Sequence, residues 1–181
     1  MENKFIKEKF NGLTEEVYKW DFISISPFFT KEIRSKTAEK EIIDAYLHSA
    51  ECLYMCFHKE SNPVENMKVF RMNQMCMPFL FLCRHTLELL IKAVLNSKQG
   101  KIKKIHKLQE LWDELKNNIE IDNPDFDMLI NVLDTIDDDG CKLRYASDGK
   151  GNNYNEKPCF IRADLILDTT QKIYNKLITE I

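Results

Sequence analysis

From Met75 to Leu95 nearly every residue is apolar, and the few ionisable interruptions, Arg84, His85, Glu88 and Lys92, are not scattered. Wound at about 100° per residue, the four share about a third of a helical turn. Leu82, Cys83, Leu87, Leu89, Leu90, Ala93 and Val94 occupy the rest of the circumference. A segment of this kind folds as a helix that is covered on most sides and carries one polar stripe. The same charges argue against a bilayer, where ionisable side chains are costly. The opening MENKFIKEKFNG has no apolar core of signal-peptide length. The expectation is a cytoplasmic protein with no membrane partner.

Helical spacing recurs along the chain. Thr37–Lys59 reads as a helix with Thr37 as a candidate N-cap and a core stripe of Ile43, Tyr46, Leu47, Ala50, Leu53, Tyr54 and Phe57. Roughly opposite that stripe, Ala45, His48, Cys52, Met55 and Cys56 are scarcely charged. A helix apolar on two sides calls for two neighbours, the second being the N-terminal arm or another subunit. Asn62-Pro63 marks a helix start, and that helix runs to about Asn96, with Pro78 expected to kink or split it. His106 opens a short helix with Leu108, Leu111, Trp112, Leu115 and Ile119 on one face. After Pro124, Phe126, Leu129, Ile130, Leu133 and Ile136 repeat helically up to Gly140. Residues 141–159 read as a long polar loop, and Arg162–Ile181 as a last helix with Leu165, Ile166, Thr169, Ile173, Leu177 and Ile178 facing in. Five Gly and five Pro in 181 residues suit long helices with short connections. The expected fold class is all-α: an up-and-down bundle of four to five helices over residues 38–181, with an N-terminal arm, residues 1–37, packing on it.

The polar stripe has two readings. In one, Arg84, Glu88 and Lys92 form a solvated i,i+4 ladder. In the other they line a cleft, where Arg84 offers a planar cation to phosphate, His85 moves a proton and Glu88 orients them. Other polar residues could join such a cleft: His106 in IHKLQELW, then Arg144, Tyr145 and Asp148 in LRYASD, and Lys101, Lys103, Lys104 and Lys107 in the preceding loop. No metal and no cofactor is expected. His48, Cys52 and Cys56 share a helix face without a fourth ligand. DTIDDDGC fails as a calcium loop, with Thr135 at the first ligand position and Ala146 at the twelfth. The carboxylates of the fourth helix read as surface solvation. The six cysteines, 52, 56, 76, 83, 141 and 159, contain no C-x-x-C pair and read as reduced core thiols. Net charge is -3. No global basic field attracts nucleic acid, so any RNA site must be local.

Three blocks stand in order, RHTLELLIKAVL, HKLQELW and LRYASD. With the helical pattern, they resemble bacterial proteins of the HEPN superfamily over roughly residues 38–181. The resemblance implies a bundle of four or five helices that forms a homodimer. Many HEPN domains are metal-independent ribonucleases in toxin–antitoxin, abortive-infection or other phage-defence systems. Others have lost catalysis and bind a nucleotide, RNA or a cognate protein partner. Active members carry an Arg followed by a His with four to six residues between. None of Arg34, Arg71, Arg84, Arg144 and Arg162 has a His at that distance, and Arg84 is followed at once by His85. Two expectations follow. One is a variant ribonuclease site, with Arg84, His85 and Glu88 catalytic and Lys92, His106, Arg144, Tyr145 and Asp148 on the substrate side. The other is a non-catalytic binding module.

Overall fold

The computed structural model describes residues 36–59, 65–100, 104–145, 147–148, 150–152, 154 and 161–181. The expected arm, the Asn62-Pro63 helix start, Lys101, Lys103 and Cys159 lie outside the described residues. Among those described, five α-helices carry the fold: α1 Lys36–Lys59, α2 Glu65–Gln99, α3 Leu108–Lys116, α4 Pro124–Ile136 and α5 Ala163–Leu177. A short 3₁₀ turn, Ile178–Glu180, closes the chain. The fold is all-α.

The centre of the bundle is α2, which packs against α1, α3 and α5, while α4 packs against α3 and α5. Phe79, Cys83, Leu87, Leu90, Ile91, Val94 and Leu95 of α2 are fully buried. They meet Ile43 and Ala50 of α1, Leu111 and Trp112 of α3, Ile130 and Leu133 of α4, and Ile173 and Leu177 of α5. Burying a side chain of this size stabilises the fold by about 1.5–3 kcal/mol relative to leaving it exposed.

Several boundaries differ from the sequence reading, each for a local reason. α1 begins at Lys36, so Thr37 lies inside the helix rather than at its N-cap. α2 is one continuous helix through Pro78. Pro78 is exposed, and the helix continues through it although its ring nitrogen carries no hydrogen for the turn before. α3 starts two residues after His106 and has no capping side chain of its own. Instead Asp134 of α4 accepts from Leu108 N at 2.9 Å and Gln109 N at 3.1 Å. α4 begins as expected, with Asn123 as N-cap and Pro124 at the first position. In α5 the buried face is Ile166, Leu167, Thr170, Ile173 and Leu177; Leu165, expected inside, is exposed.

Of the expected core thiols, Cys83 is buried, with its pKa pushed up to about 12 by desolvation against a smaller opposing effect of a Thr170 hydrogen bond, and Cys76 is partly buried and packs against the core. Cys52 and Cys56 are exposed on α1. No helix among the described residues is long and apolar enough to cross a membrane.

Candidate functional site

The polar stripe of α2 does not face bulk water. Arg84 is 1% exposed. Its Nε donates to the Asp137 carbonyl at 2.7 Å, Nη1 to Glu88 Oε2 at 2.9 Å, and Nη2 to the His106 carbonyl at 2.6 Å. One guanidinium thus ties α2 to the strand of chain before α3 and to the end of α4. Asp137 is fully buried; its Oδ1 accepts from Lys142 N at 2.9 Å, and its Oδ2 lies 3.7 Å from Arg84 Nε without a hydrogen-bond partner. Gly140 closes over this pair with φ of 77°. A Cβ there would stand 3.2 Å from Arg84 Nη1 and 3.7 Å from Arg144 Nη2, so the glycine sits between two guanidinium groups.

Glu88 is the hub on the other side. Besides Arg84, it receives Lys92 Nζ on Oε1 at 2.8 Å, and His106 Nδ1 lies 2.9 Å from the same oxygen. Burial raises the carboxyl's pKa. The Lys92 hydrogen bond and charge, the His106 bond and the Arg84 charge outweigh that effect, and the net shift is downward. Glu88 therefore stays ionised at neutral pH. Lys92 also borders a small groove of about 190 Å³ between α1 and α2, walled by Ile42, Ile43, Leu89 and Ala93.

His85 looks towards α1. Its ring stacks on Phe81 with centroids 5.3 Å apart and meets Tyr46 edge-on at 4.6 Å. Arg144 lies over the same Phe81 ring at 5.8 Å and over Tyr145 at 5.6 Å, with its Nε donating to the Gly140 carbonyl. Burial is the main cause that lowers the His85 pKa. Glu88 opposes it, and Arg84, Arg144 and Lys92 add to the lowering. Tyr145 is 58% exposed, so the patch opens to solvent at the Arg144–Tyr145 end.

A family model described as the HEPN domain matches residues 66–177. The chain belongs to the HEPN family. No curated protein and no solved structure matches it.

Within this HEPN domain, the fold gathers Arg84, His85, Glu88, Lys92, His106, Arg144 and Tyr145 around one stretch of α2. Asp148 is engaged elsewhere. Its carboxylate accepts from Lys150 N, Asn152 N and Asn152 Nδ2 and so closes its own turn. Lys107 pairs with Glu110, and Lys104 is exposed.

Four residues of the site escaped the sequence reading. Asp137 and Gly140 form the roof over Arg84, and Phe81 and Tyr46 flank His85. Phe81 could have been found, since it lies one helical turn before His85. Of the carboxylates on and just after the fourth helix, Asp125 is exposed as expected, but three others do more than solvate the surface. Asp127 accepts from the buried Trp112 Nε1 at 2.6 Å, Asp134 caps α3, and Asp137 is buried. Among the described residues no group of three or more His, Cys, Asp or Glu is placed to hold a metal ion.

Proposed function

We propose that this HEPN domain is the RNA-directed component of a defence or toxin–antitoxin system, and that it cleaves RNA by imidazole chemistry at the face formed by His85, Arg144 and Tyr145. The observation that supports this is the stack on Phe81, which carries His85 and the Arg144 guanidinium on one ring. Arg144 offers charge-assisted hydrogen bonds to a phosphate, and exposed Tyr145 offers a stacking surface to an unpaired base. The lowered pKa of His85 keeps its ring neutral at pH 7, the form that accepts a proton from a 2′-hydroxyl.

Roles shift from those expected of the sequence. With its guanidinium directed at three internal acceptors, Arg84 positions Glu88 and His106, and the phosphate contacts pass to Arg144 and Lys92. The scarcely charged face of α1, where Met55 is 49% exposed and Cys52 and Cys56 are exposed, supports a homodimer.

The test is incubation of the purified protein with total RNA, with and without EDTA. The proposal expects EDTA-resistant cleavage that disappears in His85→Ala and weakens in Arg144→Ala. Intact RNA together with tight binding would support the second reading, a non-catalytic RNA or nucleotide module. The burial of Arg84, the arginine adjacent to His85, favours that reading. If both variants change only the melting temperature, the cluster is structural.

A further inference from the structure

His106 was read from the sequence only as a residue on the substrate side. Its geometry is more specific. The side chain is 64% exposed, yet its Nδ1 lies 2.9 Å from Oε1 of Glu88, which is itself almost wholly buried. The residue is fixed at two points, because its carbonyl also accepts from Arg84 Nη2 at 2.6 Å. The carboxylate Glu88 has no proton to give, so Nδ1 carries the hydrogen in the neutral ring. Nε2, on the far edge, has no hydrogen-bond partner among the described residues. A buried carboxylate that fixes the tautomer and orientation of an exposed imidazole is the arrangement by which enzymes hold a proton carrier. His85 differs: it is packed between two aromatic rings and contacts no carboxylate at hydrogen-bond distance among the described residues.

We propose that His106, oriented by Glu88, is the second proton carrier of this site and protonates the leaving oxygen during RNA cleavage. This rests on the cleavage reading above. In the step, His85 takes the proton of the 2′-hydroxyl and the 2′-oxygen forms a bond to phosphorus. The phosphorus–5′-oxygen bond breaks, and its electron pair takes the Nε2 proton of His106, which enters the step as the imidazolium, with its Nδ1–H held by Glu88, and leaves it as the neutral Nδ1–H ring. The products are a 2′,3′-cyclic phosphate and a free 5′-hydroxyl, with one proton accepted and one donated and no co-reactant. Lys92, which shares Glu88 Oε1 with His106, stands beside the same carboxylate as a cation for the phosphate. Two imidazoles in unlike surroundings can thus divide the work of base and acid.

A leaving-group comparison on the full chain tests the assignment. Two substrates are used, a dinucleoside monophosphate and a uridine 3′-(4-nitrophenyl phosphate), whose nitrophenolate departs without a proton. His106→Ala is expected to slow the dinucleotide by about 10²–10⁴-fold and the nitrophenyl ester far less. His85→Ala should slow both. Because the carbonyl of residue 106, not its ring, binds Arg84, His106→Ala keeps that anchor, and circular dichroism checks its fold. Equal losses on both substrates, or no loss on either, overturn the acid role and leave RNA cleavage by His85 standing. Wild-type protein inert on both substrates overturns the cleavage reading and the acid role together. The tautomer is read separately from nitrogen-15 spectra of the histidine rings. Nδ1–H in the wild type, shifting towards Nε2–H in Glu88→Gln, supports the Glu88–His106 pairing. An Nε2–H ring in the wild type overturns it.

Discussion

Arg84 shows how much a single side chain can do when it is buried with its partners already in place. Removing a guanidinium from water is expensive, and a buried ion pair as such is weak evidence of stability. Here the cost is offset by three hydrogen bonds in three directions, to Asp137, Glu88 and His106. Arg84→Ala is therefore expected to cost about 3–5 kcal/mol, since Asp137 and Glu88 lose the cation they were buried with. Arg84→Lys should cost about 1–3 kcal/mol, because one ammonium cannot reach all three acceptors. Urea denaturation followed by circular dichroism measures both; an Arg84→Lys protein as stable as the wild type would contradict this account. His85 gives a pH signature of opposite origin. Its folded pKa lies below the ordinary 6.5, so the unfolded chain takes up the proton first. The contribution is fully present above about pH 6.5 and is lost as the pH falls towards the folded value. Wild-type stability should therefore drop more between pH 7.5 and 5 than that of His85→Gln, and parallel pH profiles would count against burial as the cause. Of this residue-level picture, the sequence exposed the Arg84–Glu88–Lys92 ladder, because i,i+4 spacing is local. The cover over the ladder was hidden, since Asp137 is 53 residues from Arg84.

Helices were legible as elements because apolar periodicity survives without tertiary information, and all five stand close to their expected positions. Their ends were less legible, because caps here are supplied across the fold. α3 takes its cap from Asp134 on α4, a pairing no local motif announces. Asp134→Ala should cost about 0.5–2 kcal/mol, as loss of an N-cap does elsewhere. The Leu108 and Gln109 amides, which donate to Asp134, should exchange faster in the same variant. Gly140 was read as a helix stop, yet α4 ends at Ile136 and the glycine's role is to cover Arg84. Comparison with Gly100 separates strain from crowding. Both have positive φ, but a Cβ at Gly100 meets nothing within 4 Å. Gly100→Ala should therefore cost about 1 kcal/mol from backbone strain alone. Gly140→Ala should cost more, because Arg84 Nη1 must also move. Equal denaturation midpoints for the two variants would mean that the Gly140 neighbours yield freely.

At the scale of the whole molecule, a fold wrapped around one long helix brings α2, the chain before α3 and the turn after α4 to one place, although the HKLQELW and LRYASD blocks are far apart in sequence. That convergence was suggested by the order of the blocks; its geometry had to come from packing. The chain's acidic balance limits how RNA would be held at the proposed site. With a net charge of -3 there is no broad basic field, and affinity must come from a few fixed cations near the cluster. Lys92 already shares Glu88, which leaves Arg144 as the more available charge in the proposed site. Each phosphate contact on a single strand contributes about -0.7 to the slope of log K against log salt. The wild-type slope is thus expected at about -1 to -2, shallower than for a basic RNA-binding domain with many contacts. Arg144→Ala should flatten it by about 0.7, and Tyr145→Ala should weaken binding at every salt concentration without changing the slope, because a stacking ring releases no counterion. Fluorescence anisotropy with a short labelled oligonucleotide over a salt series separates the two effects. A steep slope that Arg144→Ala leaves intact would move the RNA to another surface of the molecule.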